Sequence, residues 1–136
     1  MSEENLQVVR AAIDAVNKGD PDAFLACLDP EVVWDDTEGW AGLRGVYRGP
    51  AEVRDWFQAA LVDPWDSLHI AAEEITEASD GQRVSVAGSV RARGRTSGAE
   101  ADIRVWQVLW MRGGKITRRQ LYWTRDEAAE AAGLGE

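Results

Sequence analysis

The chain has 136 residues, of which 45% are hydrophobic and 29% charged, and this length and composition predict a single domain that spans residues 1–136. Fifteen Lys and Arg against twenty-four Asp and Glu give a net charge of −9, which repels phosphate groups and argues against nucleic acid as a partner. No segment has the apolar length of a membrane span or the pattern of a signal peptide, so we expect a cytoplasmic protein with no membrane partner.

The numbers of Cys, His and Trp residues limit the chemistry further. Cys27 and His69 are the only residues of their types, so the chain forms neither an internal disulfide nor a zinc site of Cys and His ligands. No spacing of carboxylates indicates another metal, and we expect no cofactor. The seven Trp residues indicate either a thick core or a cavity with aromatic walls, because exposed indole rings are costly.

The first half of the chain predicts three helices and one strand. Apolar residues at helical spacing lead to an Asn-Lys-Gly sequence and predict the first helix. Asp20 and Pro21 are suited to be the N-cap and first residue of a short second helix. The β-branched and aromatic residues of 31–36 predict a strand. A third helix is expected to begin at Gly49-Pro50 and to end at the next Asp-Pro pair.

The second half of the chain predicts a run of strands joined by turns. Four segments are strand-like: 67–78, 82–94, 100–112 and 115–124. Thr124 and Glu127 then form a capping box for a short helix over 126–132. Helices segregated from a run of sequential strands are typical of an α+β fold with an antiparallel sheet that curls around a helical layer.

The strand at 31–36 ends in two adjacent carboxylates, Asp35 and Asp36. Neighbouring residues of a strand point to opposite faces, so at most one of the two reaches an internal cavity. We predict that Asp35 is the chemically active carboxylate and that Asp36 faces solvent or a turn. The alternative for Asp35 is a half-exposed carboxylate that only terminates the strand.

Several short sequences carry a resemblance to a known superfamily. They are AVNKGD at 15–20, LDPEVVW at 28–34, YRGP at 47–50, GGKI at 113–116 and LYW at 121–123. With them the chain resembles the nuclear-transport-factor-2-like superfamily, a cone-shaped α+β fold shared by ketosteroid isomerases, limonene epoxide hydrolases and polyketide cyclases. The segments at 80–84, 93–98 and 125–134 look most like its SnoaL-like branch. The resemblance implies a curved antiparallel sheet wrapped around three to four helices, a pocket inside the cone, and a homodimer.

The resemblance also assigns chemistry to particular positions. Aligned from the shared Gly-Asp turn, the general base of a ketosteroid isomerase falls on Asp35. The two oxyanion donors of that enzyme fall on Ala12 and Trp106, which do not donate to an enolate oxygen as those groups do. Steroid isomerisation is therefore not predicted, because it needs both a base and a stabilised oxyanion. Related hydrolases and cyclases use an acid on the late strands, and residues 103–125 contain no Asp or Glu.

The candidate catalytic set is Asp35 as general base, with His69 or Tyr47 polarising a carbonyl group. Candidate substrate-binding residues are the indole and guanidinium groups expected to line the pocket, several on shared strand faces: Trp34, Trp56, Trp106, Trp110, Trp123, Arg104 and Arg119. If these faces turn inward, the pocket suits a small apolar or aromatic molecule with an anionic or carbonyl edge.

Several candidates have a purely structural alternative. A lone histidine such as His69 is also typical of a hydrogen-bonded packing residue. Trp56 belongs to an apolar helical stripe, which is typical of a core. Trp106 and Trp110 are equally suited to a dimer interface, since aromatic residues are enriched in interface cores. Three functions stay open: an isomerase, cyclase or lyase acting by general base catalysis, a non-catalytic ligand-binding module, and a dimeric scaffold.

Overall fold

The computed structural model describes residues 3–37 and 45–134. The helices are α1 (Glu3–Lys18), α2 (Pro21–Leu25), α3 (Gly49–Trp56), which continues as a π-helix over Phe57–Val62, and α4 (Arg125–Ala131). The strands are β1 (Leu28–Asp35), β2 (Val46–Arg48), β3 (Trp65–Glu77), β4 (Arg83–Gly94), β5 (Glu100–Arg112) and β6 (Lys115–Tyr122). Within the two described ranges, no helix has the length and apolar character needed to cross a bilayer.

The six strands form one sheet in the order β2-β1-β6-β5-β4-β3. β3 to β6 are the predicted antiparallel meander. β1 pairs with β6 in parallel, at Trp34 with Arg119 and at Asp35 with Gln120. The α+β class with a curved sheet and four helices is thus confirmed, and the sheet is mixed rather than purely antiparallel. The parallel pair matters because it places the end of β1 against the late residues of β6.

The two faces of the sheet have different partners. The inner face carries apolar residues such as Val86, Val105 and Leu109, and it forms the main core with α1, α2, α3 and the π-helix. The outer face is partly covered by α4, and Ala128 of this helix and its C-cap residue Ala132 pack around Val108. Register shifts in β3 and between β5 and β6 bend the sheet, since bulges increase local twist and curvature. The helical layer and the inner face therefore enclose the interior of the domain.

The predicted caps and turns agree with the structure. The Asp20 carboxylate accepts a hydrogen bond from the Ala23 N–H at 3.1 Å, as expected for an N-cap. The Thr124 hydroxyl accepts one from the Glu127 N–H at 3.3 Å at the start of α4. The strand of β1 begins at Leu28, three residues before the predicted start. Local side-chain chemistry thus determined where the elements begin, with small differences in their bounds.

The π-helix after α3 was not predicted. Its wider turn is shown by the Asp63 N–H, which donates to the Gln58 carbonyl at 2.9 Å. The Trp65 indole N–H donates to the Ala60 carbonyl at 2.9 Å and so occupies one carbonyl of this turn. Single π-helical turns are frequent at functional sites. Here the turn places Leu61 against the interior of the domain.

Gly88 of β4 lies where two strands approach closely. A Cβ at this position would overlap the Ala71 carbonyl oxygen and lie 3.3 Å from Ala72 Cα. We expect Gly88→Ala to lower the free energy of unfolding by about 1–3 kcal/mol, because the clash involves backbone atoms that must shift. Urea unfolding checks this, with Ser89→Ala on the same strand as a control expected to stay within about 0.5 kcal/mol of the parent protein. Equal stability of the two variants would contradict the close approach.

Candidate functional site

A cavity of about 70 Å³ lies between the inner face of the sheet and the helices. Its lining is almost entirely apolar and comes from α1, α2, α3, the π-helix and five strands. Within the described ranges, the polar side chains in the lining are Gln107 of β5 and Arg119 of β6, beside the indoles of Trp34 and Trp56. The interior therefore combines an apolar chamber with one polar end.

Aromatic rings form one wall of the cavity. Phe24 and Trp34 meet edge to face with their ring centroids 5.2 Å apart. Trp34 and Trp56 are tilted against each other at 5.3 Å, and Phe57 packs on Phe24 from behind at 5.1 Å. These separations are in the range of favourable aromatic pairs. The predicted pocket residues Trp34 and Trp56 are thus brought together, and Phe24 joins them.

Arg119 closes the polar end of the cavity. Its guanidinium carbon lies 5.0 Å from the Trp34 ring centroid and 5.3 Å from that of Trp56, so the cation lies against both aromatic faces. Its Nη1 donates to Asp36 Oδ1 at 2.7 Å and to the Asp35 carbonyl at 3.3 Å. Its Nε donates to Gln107 Oε1 at 2.7 Å. The guanidinium is thus fixed in one orientation at the end of the cavity.

Asp36 is the buried partner of that guanidinium. Its side chain is 0% exposed, against 5% for Arg119, and its second oxygen accepts the Trp56 indole N–H at 3.0 Å. Burial lowers the pKa of Arg119, and the Asp36 carboxylate opposes that shift by favouring the charged form. The prediction that Asp36 faces solvent or a turn is therefore wrong. The Asp36 side chain lies on the same face of the strand as Trp34, and Arg119 lies between it and the cavity.

Asp35 belongs to the other side of the strand. Its carboxylate accepts hydrogen bonds from the Thr37 N–H at 3.0 Å and from the Thr37 hydroxyl at 2.7 Å. Arg118, whose neighbours include the outer-face residue Trp110, donates to the second oxygen at 3.3 Å. Asp35 does not line the cavity. Its side chain is held by a local turn and an ion pair at the edge of the outer face.

The structure does not bring the three candidate catalytic residues together. Tyr47 of β2 lies opposite Trp34 of β1 and packs against the main core. His69 of β3 is exposed and pairs with Arg91 of β4, which puts it on the outer face. Three strands separate β3 from β1 in the sheet. Asp35 and Tyr47 thus lie on adjacent strands but on opposite faces, and His69 lies on a distant strand, so the three do not form a shared reaction centre.

The other candidate binding residues divide in the same way. Trp106, Trp110 and Arg104 all alternate onto the outer face of β5, opposite to Val105 and Leu109 of the cavity. Trp106 and Trp110 pack against the α4 cluster. Trp123 follows β6 and is 37% exposed. Their predicted place in the internal pocket is therefore wrong, while the alternative of a dimer interface for Trp106 and Trp110 stays a prediction.

Gln107, Phe24 and the inward orientation of Asp36 were not predicted from the sequence. A signal for Gln107 existed, because it is the polar member of an otherwise apolar alternation with Val105 and Leu109 on β5. A polar residue at a core position is typical of a site that needs a hydrogen bond. In the described parts of the chain, no three His, Cys, Asp or Glu side chains group as metal ligands would.

One polar atom in the cavity wall has no partner. The Nε1 of Trp34 is buried and makes no hydrogen bond to any residue that the structure describes, although its ring lines the chamber beside Arg119. Buried N–H groups without acceptors are rare and destabilising in proteins. This N–H is fully buried in the wall, so a ligand oxygen reaches it only if the wall moves.

Comparison with known proteins identifies the family. The SnoaL-like domain matches residues 9–119. The chain belongs to the SnoaL-like family. No curated protein matches this SnoaL-like domain.

Solved structures show the same fold. An NTF2-like protein of unknown function from Burkholderia pseudomallei is 25% identical, with a TM-score of 0.76 over 97% of this chain and 98% of that one. A putative polyketide cyclase from Xanthomonas campestris is 22% identical, with a TM-score of 0.78 over 98% of each chain. A Mycobacterium tuberculosis protein in complex with estradiol-17beta-hemisuccinate is 19% identical, with a TM-score of 0.75 over 92% of this SnoaL-like domain and 97% of that chain. The resemblance seen in the sequence is thereby confirmed.

Proposed function

We propose that this SnoaL-like domain binds a small ring-containing apolar molecule in the cavity between sheet and helices. The observation that carries the proposal is the buried, unpartnered indole N–H of Trp34 in the wall of a chamber that is apolar except at one end. Leaving such a donor unsatisfied costs about 1–3 kcal/mol. A ligand oxygen placed against Trp34 and Arg119 would recover part of that free energy while its ring packs on the aromatic wall.

The shape and chemistry of the wall favour a flat apolar ligand. Small-molecule sites combine apolar and aromatic walls with a few polar groups that fix orientation. Here Phe24, Trp34 and Trp56 supply the rings, while Gln107 and Arg119 supply the polar groups. The Mycobacterium tuberculosis protein, which shares the fold, is in complex with estradiol-17beta-hemisuccinate. That precedent supports a ring compound as the class of ligand.

The size of the chamber sets a condition on binding. A protein cavity of about 150 Å³ accommodates benzene, and the chamber here measures about 70 Å³. A ring therefore enters only if part of the wall moves. Leu61 on the π-helix is a suitable moving part, because the wider turn already departs from regular helical hydrogen bonding.

Binding is favoured over general base catalysis by the position of the carboxylates. Asp35, the predicted base, faces away from the chamber and is held by Thr37 and Arg118. Asp36 lies behind Arg119, and each of its oxygens already accepts a hydrogen bond. A base must reach the proton that it removes, within hydrogen-bond distance or through one water. A catalytic role for Asp35 with His69 or Tyr47 would need a rearrangement of the sheet end.

Filling the chamber tests the proposal. Ala12 of α1 is buried in the cavity lining, while its neighbour Ala11 is exposed on the same helix. We expect Ala12→Leu to abolish binding of acetophenone, measured by ligand-observed NMR, and Ala11→Leu to leave it unchanged. Unfolding of both variants is measured as well, because overpacking costs about 1–3 kcal/mol. Acetophenone that binds neither parent nor control, or that still binds a folded Ala12→Leu variant, would overturn the proposal.

A further inference from the structure

Among the described residues, the polar side chains at the cavity end offer donors and no free acceptor. The Trp34 indole and the Arg119 guanidinium only donate hydrogen bonds. Gln107 has one acceptor oxygen, and that oxygen takes the Arg119 Nε–H at 2.7 Å. Because arginine has no acceptor, this contact fixes which end of the Gln107 amide faces it. The amide Nε2 hydrogens are thereby left for other partners, on a residue that lines the chamber.

The charge of the cavity end is already balanced. Arg119 and Asp36 form a pair at 2.7 Å, and both side chains are almost completely buried. Asp36 lies behind the guanidinium rather than in the lining, so its oxygens are not presented to a ligand. An anionic ligand would add a second negative charge beside the same cation. A buried charge without its own partner is strongly disfavoured.

The geometry points to a neutral hydrogen-bond acceptor, such as a ketone, quinone or lactone carbonyl, as the polar group of the ligand. The inference rests on the proposed function and refines it by excluding carboxylates, which the sequence alone left open. Trp34, Gln107 and Arg119 form the donor set for that oxygen. Asp36 determines the specificity, because its charge cancels the attraction of Arg119 for anions.

Three ligands of similar size separate the contributions. Acetophenone carries a neutral carbonyl, benzoate carries a charge, and ethylbenzene carries no acceptor. With the parent protein at neutral pH, we expect acetophenone to bind about tenfold more tightly than either of the others, by titration calorimetry. Benzoate that binds as tightly as acetophenone, or more tightly, would overturn the inference and leave the proposed function standing. Failure of all three to bind would instead overturn the proposed function.

The substitution Asp36→Asn provides the sharper test. Asparagine keeps the size of the side chain and an acceptor for Trp56, but removes the charge that balances Arg119. We expect benzoate affinity to rise about tenfold in this variant, because a ligand carboxylate then replaces the missing charge. Acetophenone affinity should change little, so the tenfold preference for acetophenone over benzoate should disappear in this variant.

The matched control is Asp35→Asn. Asp35 is the preceding residue on β1, loses the same charge, and faces Thr37 and Arg118 instead of the cavity. Its preference for acetophenone over benzoate should equal that of the parent. Loss of the preference in both variants would show that net charge rather than Asp36 decides it. If Asp36→Asn does not fold, the comparison of ligands on the parent protein still decides the inference.

Discussion

Replacing Asp36 with alanine is expected to lower the free energy of unfolding by about 3–5 kcal/mol, the usual cost of removing one partner from a buried ion pair. The Asp36 side chain is 0% exposed, and its loss leaves the Arg119 guanidinium buried without a counter-charge. It also leaves the Trp56 indole N–H without its acceptor. Urea unfolding followed by tryptophan fluorescence measures the change.

The neighbouring substitution Asp35→Ala gives the scale for that result. The Asp35 carboxylate bonds to Thr37 and to Arg118, which is 41% exposed, so water can replace part of what is lost. We expect a loss of about 1 kcal/mol. If the two alanine variants lost equal stability, or if Asp35→Ala lost more, the assignment of Asp36 to the interior would be incorrect.

A double substitution separates the net contribution of the ion pair to the free energy of unfolding from the penalty of leaving one of its charges unpaired. In Asp36→Leu with Arg119→Met, no charge remains buried at the cavity end. Such apolar replacements of buried pairs are often neutral or stabilising, so we expect the double variant to recover most of the stability lost in Asp36→Ala. If the double variant is at least as unstable as Asp36→Ala, the hydrogen bonds to Gln107 and Trp56 contribute more to the free energy of unfolding than the uncompensated charge costs.

Local rules predicted most of the fold because each depends on neighbouring residues only. Asp20 and Thr124 cap their helices with the side-chain bonds that such residues form anywhere. The meander followed from apolar alternation and turn residues. The parallel pairing of β1 with β6 joins residues more than eighty positions apart, and only the resemblance to a known fold could imply it. The π-helix left no signal, since its apolar spacing also fits an α-helix.

The choice of Asp35 over Asp36 failed for a reason visible in the sequence. Trp34 was expected in the pocket, and adjacent residues of a strand point to opposite faces. Trp34 and Asp35 therefore conflicted as members of one cavity, whereas Val32, Trp34 and Asp36 share a face and are all buried. The alignment with a catalytic position outweighed this periodicity. A residue-by-residue likeness needs to agree with the local strand pattern before it assigns chemistry.

The inner face of β5 was also predicted wrongly. The large side chains of Trp106 and Trp110 suggested a pocket wall, yet the face with Val105, Gln107 and Leu109 is the one that lines the cavity. The alternation of side chains along a strand separates its two faces but does not show which face points to the interior. The acidic and basic residues of the outer face, such as the pair Arg104 and Glu73, are a better guide, because charged pairs are mostly exposed.

Removing the indole of Trp56 is expected to destabilise the domain and to create a site for free indole. Trp56 is 3% exposed, lines the chamber, and donates to Asp36 at 3.0 Å. We expect Trp56→Ala to cost about 3–5 kcal/mol, since the packed ring leaves a cavity behind. Added indole has the shape and the N–H of the missing group, and at one hundred times its Kd it should restore about 2.7 kcal/mol. Thermal unfolding with and without indole measures both effects.

Two controls decide whether the rescue is specific to this chamber. Trp110→Ala removes the same ring from the outer face, where the indole packs near Arg118 and α4. Added indole should therefore raise the Tm of Trp110→Ala by no more than it raises the Tm of the parent protein. Benzofuran has nearly the shape of indole but lacks the N–H, and it should bind Trp56→Ala about tenfold more weakly because Asp36 then keeps an unsatisfied oxygen. Equal rescue of both variants would indicate nonspecific binding of indole. Equal affinity for indole and benzofuran would show that the chamber selects by shape alone, without the hydrogen bond to Asp36.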